Sequence, residues 1–231
     1  MIKRILITLI IVSCGLFANE PKSVKATQKW VKKNGYKIIH DFKTLLSIPN
    51  VAADRANIRK NAEYISELFQ SRGFDMQLLK VDGANPIIYG ELKRPGATRT
   101  LCFYVHYDGQ PVDETKWEHA PFEPVLYSGS IDGGGKPIPF PEKRTKINSE
   151  WRLYGRSAGD DKAPVITILN ALDALKASEI GITSNIKLFF EGEEEAGSTN
   201  LKAHLSKHRG LLDDIDTVSY KHLPLPTSDL V

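Results

Sequence analysis

The chain has 231 residues, 41% of them hydrophobic, with a formal net charge of +3. That length suits one sizeable domain or a domain and a half, and the apolar share suits a globular core. So balanced a charge gives no support to a nucleic-acid partner.

At the N-terminus, Lys3 and Arg4 precede an apolar run from Ile5 to Val12 that is too short to span a bilayer. Residues 1–18 therefore read as a secretory signal. Two processing routes stay open. One is cleavage after Ala18. In the other, Ile11-Val12-Ser13 before Cys14 acts as a lipobox and leaves a lipid anchor on Cys14. Either route predicts an exported protein, periplasmic or membrane-anchored, from a bacterial cytoplasm. After cleavage at Ala18 no second cysteine remains to pair with Cys102, which sits in an apolar run and reads as a core residue.

Residues 19–35 are polar and are expected to be loosely held. Ile38, Phe42, Leu45 and Leu46 then share a helical face that Pro49 ends, and Ile58, Ala62, Ile65, Leu68 and Phe69 form a second stripe stopped by Gly73. Strands are predicted near Asp75–Val81 and Ile87–Leu92, with a turn at Pro95-Gly96. The continuous apolar run Leu101–Val105 reads as a central strand buried on both faces. It ends in His106-Tyr107-Asp108. In extended chain His106 and Asp108 point the same way, at the strand edge where α/β sheets build their sites.

Trp117 and Phe122 read as packing anchors. From Tyr127 to Glu150 the glycines and prolines predict a long loop. Its Gly133-Gly134-Gly135 run lacks the Lys-Ser/Thr and the strand–helix frame of a phosphate loop. A strand restarts at Trp151–Tyr154. A helix follows with Val165, Ile168, Leu169, Leu172 and Leu175 on one face and Pro164 in its first turn. Between them, Gly155-Arg156-Ser157-Ala158-Gly159 matches a nucleophile elbow. This is the rival reading: a serine hydrolase using Ser157, with His204, His208 or His222 as base.

The next strand, Ile186 to Phe190, delivers Glu191, Glu193, Glu194 and Glu195 beside two glycines. Carboxylates so crowded repel and call for a cation, a shared proton or open water. A metal reading uses three strand ends together. His106, Asp160 and Glu195 are a nitrogen and oxygen donor set suited to zinc, and also to manganese or cobalt. Asp160 can bridge two ions through its two oxygens, and a spare carboxylate beside a ligand can serve as general base.

Three ordered blocks, His106-Tyr107-Asp108-Gly109-Gln110-Pro111, Gly155 to Lys162 and Glu191 to Ser198, resemble the signature blocks of the M20 metallopeptidases. The segment Trp117…Pro121-Phe122-Glu123-Pro124 resembles the dipeptidase branch. The resemblance runs from about Phe42 to Asp216. It implies a three-layer α/β/α zinc-peptidase fold with a central mixed, mostly parallel sheet, here incomplete and without its lid domain. It also implies an enzyme that hydrolyses amide bonds of dipeptides or N-acyl amino acids with two divalent ions, zinc foremost. By position, His106 and Glu195 would be metal ligands, Asp160 the bridging ligand, Asp108 the carboxylate that orients His106, and Glu194 the general base. A cis peptide between Asp160 and Asp161 is implied as well. Glu191 and Glu193 fall at positions without a catalytic role. Glu193, Ser157 and Ala163 depart from the family's usual small or glycine residues.

By the same resemblance a further acidic ligand, a later histidine and a dimerising lid would follow. Here Ile215–Val218 runs into Ser219–Val231 with no acid at Tyr220 or Lys221. The expectation is therefore a partial catalytic domain over residues 36–218 and a tail, 219–231, that is not native. Such a chain would bind metal weakly and turn over little, and a non-catalytic fragment is the third reading. His204 and His208, four apart, lack the glutamate of the zincin motif and are expected on a surface helix.

Overall fold

A computed structural model describes residues 20–220; residues 1–18, expected to be an export signal, with Cys14, His222 and the tail beyond Tyr220, lie outside the described residues. The first helix, α1, spans Lys22–Leu46, so the expected loose segment is helical from Lys22. Two long-range anchors explain the difference. Trp30 donates from Nε1 to the side-chain oxygen of Asn170 at 3.2 Å. Gly35 lies so close to Ile147 that a Cβ there would stand 2.6 Å from Ile147 Cγ1. Neither contact leaves a local signature in a polar, lysine-rich stretch.

Helix α2, Arg55–Gln70, is capped by Asp54, whose carboxylate accepts the Asn57 N–H at 3.1 Å. The chain leaves it through Gly73 at φ +91°. Strands β1 (Asp75–Leu79), β2 (Ile87–Leu92) and β3 (Thr100–His106) follow. A small second sheet holds β4 (Val125–Tyr127), β5 (Pro137–Ile138) and β6 (Arg152–Tyr154) in the order β5-β4-β6. Its long loop folds back on α1: His40 Nε2 meets the Pro141 carbonyl at 3.0 Å, and Lys43 lies 4.0 Å over the Phe140 ring. Helix α3 is Lys162–Ala177, β7 is Asn185–Glu191, α4 is Leu201–Lys207 and β8 is Thr217–Tyr220. No described helix is long and apolar enough to cross a membrane.

The main sheet has the order β1-β2-β7-β3-β8. It is mixed, as expected: β3 pairs parallel with β7 and β8, while β1–β2 and β2–β7 are antiparallel. Alternate residues go to opposite faces. Ile88, Val105, Leu188 and Phe190 join the core under α1, α2 and α3, with Phe69 and Val165. Ile87, Tyr89, Cys102 and Phe189 join a second core closed by Leu201, Leu211, Leu212 and Ile215. Helical layers thus cover both faces of the sheet. The parallel register sets His106 opposite Glu191, so β3 and β7 end side by side.

Candidate metal centre

The site grows from that shared edge. His106 closes β3, Asp160 and Asp161 stand at the entry to α3, and the turn after β7 carries Glu194 and Glu195. The peptide between Asp160 and Asp161 is cis. Lys162, fully buried, fixes this entry by donating from Nζ to the carbonyls of Leu45 at 2.9 Å and Ile48 at 2.8 Å. Burial alone pulls its pKa down to about 7.

His106 Nε2 lies 2.8 Å from Asp160 Oδ1 and 3.8 Å from Glu194 Oε2. On the ring's other side, Nδ1 is 3.5 Å from Asp108 Oδ1, an ion-pair distance rather than a hydrogen bond. Burial opposes charge on His106, but Asp108, Asp161 and Asp160 outweigh it and push its pKa up to about 9. Burial likewise pushes Asp161 up to about 6, and raises Glu195. Glu195 Oε2 accepts from Gln110 Nε2 at 2.6 Å.

Asp108 is wholly buried and does more than face His106. Its two oxygens accept the backbone N–H groups of Glu194 at 3.1 Å and Glu195 at 3.0 Å. Those residues are not extended: Glu194–Ala196 forms one 3-10 turn closed by Gly197 at φ +86°. The buried carboxylate of Asp108 supplies the acceptors that make the turn stable at this place.

The structure brings His106, Asp160 and Glu195 together: each offers one ligand atom, and these atoms lie within 4.8 Å of one another. Two ligands at about 2.0–2.2 Å from a common zinc ion are at most about 4.4 Å apart, so small side-chain shifts close the set. The set fits a divalent cation chemically as well. One imidazole nitrogen and two carboxylates converge where a ring of negative charge already draws a proton onto the imidazole.

The elbow reading fails on geometry. Ser157 does have an elbow-like φ of +62°, but it is 6% exposed. Its Oγ is engaged by the Asn50 amide at 3.0 Å rather than by a histidine. His204, read from the sequence as a surface residue, is 2% exposed, with Nε2 against the Asn85 carbonyl at 3.2 Å. Sequence reasoning missed Gln110, Asn50, Asn85 and Lys162. Gln110 and Lys162 each stand inside one of the three signature blocks and were within reach; Asn50 and Asn85 carry no local signal.

Comparison with known proteins agrees with this geometry. The model of peptidase family M20/M25/M40 matches residues 102–229. The Cys-Gly metallodipeptidase of Schizosaccharomyces pombe is 28% identical over 169 residues, covering 68% of this chain and 31% of that protein. The human Beta-Ala-His dipeptidase is 36% identical over 125 residues, covering 54% of this chain and 20% of the other. The chain thus spans a third or less of these relatives' length. Among solved structures, the di-peptidase Dug1p of Saccharomyces cerevisiae shares the fold with a TM-score of 0.68 at 24% identity, over 86% of this chain and 41% of that one. The metallo-carboxypeptidase Sso-CP2 of Sulfolobus solfataricus gives 0.64 at 29% identity, over 81% and 38%. With more than half its length matched by the family model, the chain belongs to peptidase family M20/M25/M40.

Proposed function

We propose that this chain carries the metal-binding part of a dipeptide-hydrolysing metallopeptidase, exported by the signal in residues 1–18 and, if processed at Cys14, held at a membrane by lipid. The observation that carries the reading is the convergence of His106, Asp160 and Glu195, with Glu194 beside them. Family membership supports peptide-bond hydrolysis. The names of the relatives, a Cys-Gly and a Beta-Ala-His dipeptidase, support a dipeptide substrate, with N-acyl amino acids as the wider class.

His106 Nε2, Asp160 and Glu195 would hold a divalent ion, zinc by donor type, with manganese or cobalt as alternatives. Asp160, whose side chain is 77% exposed, has a second oxygen to share with a second ion. When bound, the metal supplies Lewis acidity, polarising an amide carbonyl and acidifying a water. Asp108 holds the His106 ring so that Nε2 faces the centre. Glu194, partly exposed on the same side, takes the proton of the attacking water and returns it to the leaving amine. At its relatives' length the protein is proposed to dimerise.

Zinc content measured beside Cys-Gly hydrolysis tests this reading. In the protein extended to its relatives' length, Glu194→Gln should keep its zinc and lose turnover by about 10²–10⁴-fold, since an amide cannot accept the water's proton. Glu195→Gln should lose zinc, and excess zinc should restore part of its activity. An emptied Glu194→Gln beside a fully loaded Glu195→Gln would reverse the two roles. Loss of activity in Ser157→Ala, with both glutamine variants unaffected, would replace the metal reading altogether.

A further inference from the structure

The loop between β1 and β2 reaches the metal centre through a set of buried hydrogen bonds that the chemistry above does not use. Asn85, 5% exposed, is the hub. Its backbone N–H donates to Glu193 Oε1 at 2.7 Å. Its side-chain amide donates to the carbonyls of Ala52 at 2.8 Å and Gly192 at 2.9 Å. Its own carbonyl faces His204 Nε2 at 3.2 Å, and since a carbonyl only accepts, His204 must carry its proton on Nε2. The other oxygen of Glu193 accepts from Asn200 Nδ2 at 2.9 Å. The Glu193 carbonyl accepts the N–H groups of Ala196 at 3.1 Å and Ser198 at 2.8 Å.

We propose that Asn85 and Glu193 are positioning residues for the metal centre, holding the turn that presents Glu194 and Glu195, with His204 buttressing Asn85. The proposal rests on the metal-centre reading and adds what keeps the donors in place. Two grips act on opposite sides of the turn. Asp108 takes the N–H groups of Glu194 and Glu195. Asn85 takes the residues just before them, Gly192 by its carbonyl and Glu193 by its carboxylate. The same loop also reaches the His106 side: the Tyr107 hydroxyl donates to the Pro86 carbonyl at 2.6 Å. Tyr107 is packed so tightly under Gly192 that a Cβ there would lie 2.5 Å from its hydroxyl oxygen. Residues 85 and 86 therefore couple the end of β3, with its histidine, to the turn with its two glutamates. Neighbouring carboxylates repel and would swing apart on an unheld turn. Ligands useful to one ion must stay within about 0.5 Å of their places.

Cobalt(II) titrated into the full chain, followed by visible absorption, tests the proposal without recourse to activity. His106→Ala must abolish the wild-type cobalt band; if it does not, the metal-centre reading itself fails. Given that result, Glu193→Ala should weaken cobalt binding at least about tenfold and change the band, while Glu193→Gln should stay near wild type, because Gln Oε1 still accepts the Asn85 N–H and the Asn200 amide can turn to accept from Gln Nε2. Arg72→Ala, which breaks the Arg72–Asp173 ion pair, should lower the Tm and leave cobalt affinity unchanged. Equal losses in the Ala and Gln variants would show that Glu193 acts by charge rather than position. No loss in Glu193→Ala would also overturn the proposal. Should Glu193→Ala fail to fold, Asn200→Ala removes only one donor to Glu193 and should weaken cobalt in the same direction; unchanged affinity there counts against it.

Discussion

Asp108 and Cys102 are residues of one strand-and-edge segment with opposite fates. Asp108 is buried, accepts two backbone N–H groups and faces His106 at ion-pair distance, so it organises the candidate metal centre while touching no solvent. Cys102, 3% exposed, faces the second core among Leu79, Tyr89 and Phe189. Burial pushes its thiol up to about 11 from 9.0, with Lys187 pulling weakly the other way. A raised native pKa means the folded state keeps a proton that the unfolded chain releases. That stability is whole below pH 9 and is lost as pH rises through about 11. Denaturant unfolding of wild type and Cys102→Ala at pH 8 and pH 11 measures it. Wild type should lose more stability across the interval, by about 1–3 kcal/mol at about 1.4 kcal/mol per pKa unit. Equal losses would show that Cys102 does not titrate in that window.

Among the elements, α1 owes its first turns to partners distant in sequence. Trp30 reaches Asn170 on α3, and Gly35 receives Ile147 from the long loop. Trp30→Ala should fray residues 22–34 and lower stability by about 1–3 kcal/mol, the range for a core-edge truncation with a lost hydrogen bond. Limited proteolysis should then cut near Lys29–Lys33 in the variant before wild type; unchanged protection would show that the helix stands without that anchor. The contrast explains what the sequence disclosed. Strands β3 and β7 were legible because long apolar runs end abruptly in His106 and in the glutamates, and α2 because its apolar stripe stops at Gly73. Helix α1 was read short because its outer turns are polar and anchored from afar. The 3-10 turn at Glu194 was missed because its acceptor, Asp108, comes from the distant segment just beyond β3. His204 looked like a surface residue for the same reason, since Asn85 buries it from a distant loop.

At the scale of the molecule, two cores clamp one sheet from either face, and the candidate metal centre lies at the carboxyl edge of its parallel pair. Lys162, Asp108 and Asn85 each tie a different segment to that edge, where donors from three stretches of chain meet. The central claim is that His106, Asp160 and Glu195 share a divalent cation. The most direct measurement is zinc-edge anomalous scattering from crystals of the protein grown with stoichiometric zinc. The account predicts a peak about 2.0–2.2 Å from His106 Nε2 and from one carboxylate oxygen each of Asp160 and Glu195. An empty edge, or zinc found only at another site such as the His204–His208 pair, would contradict it.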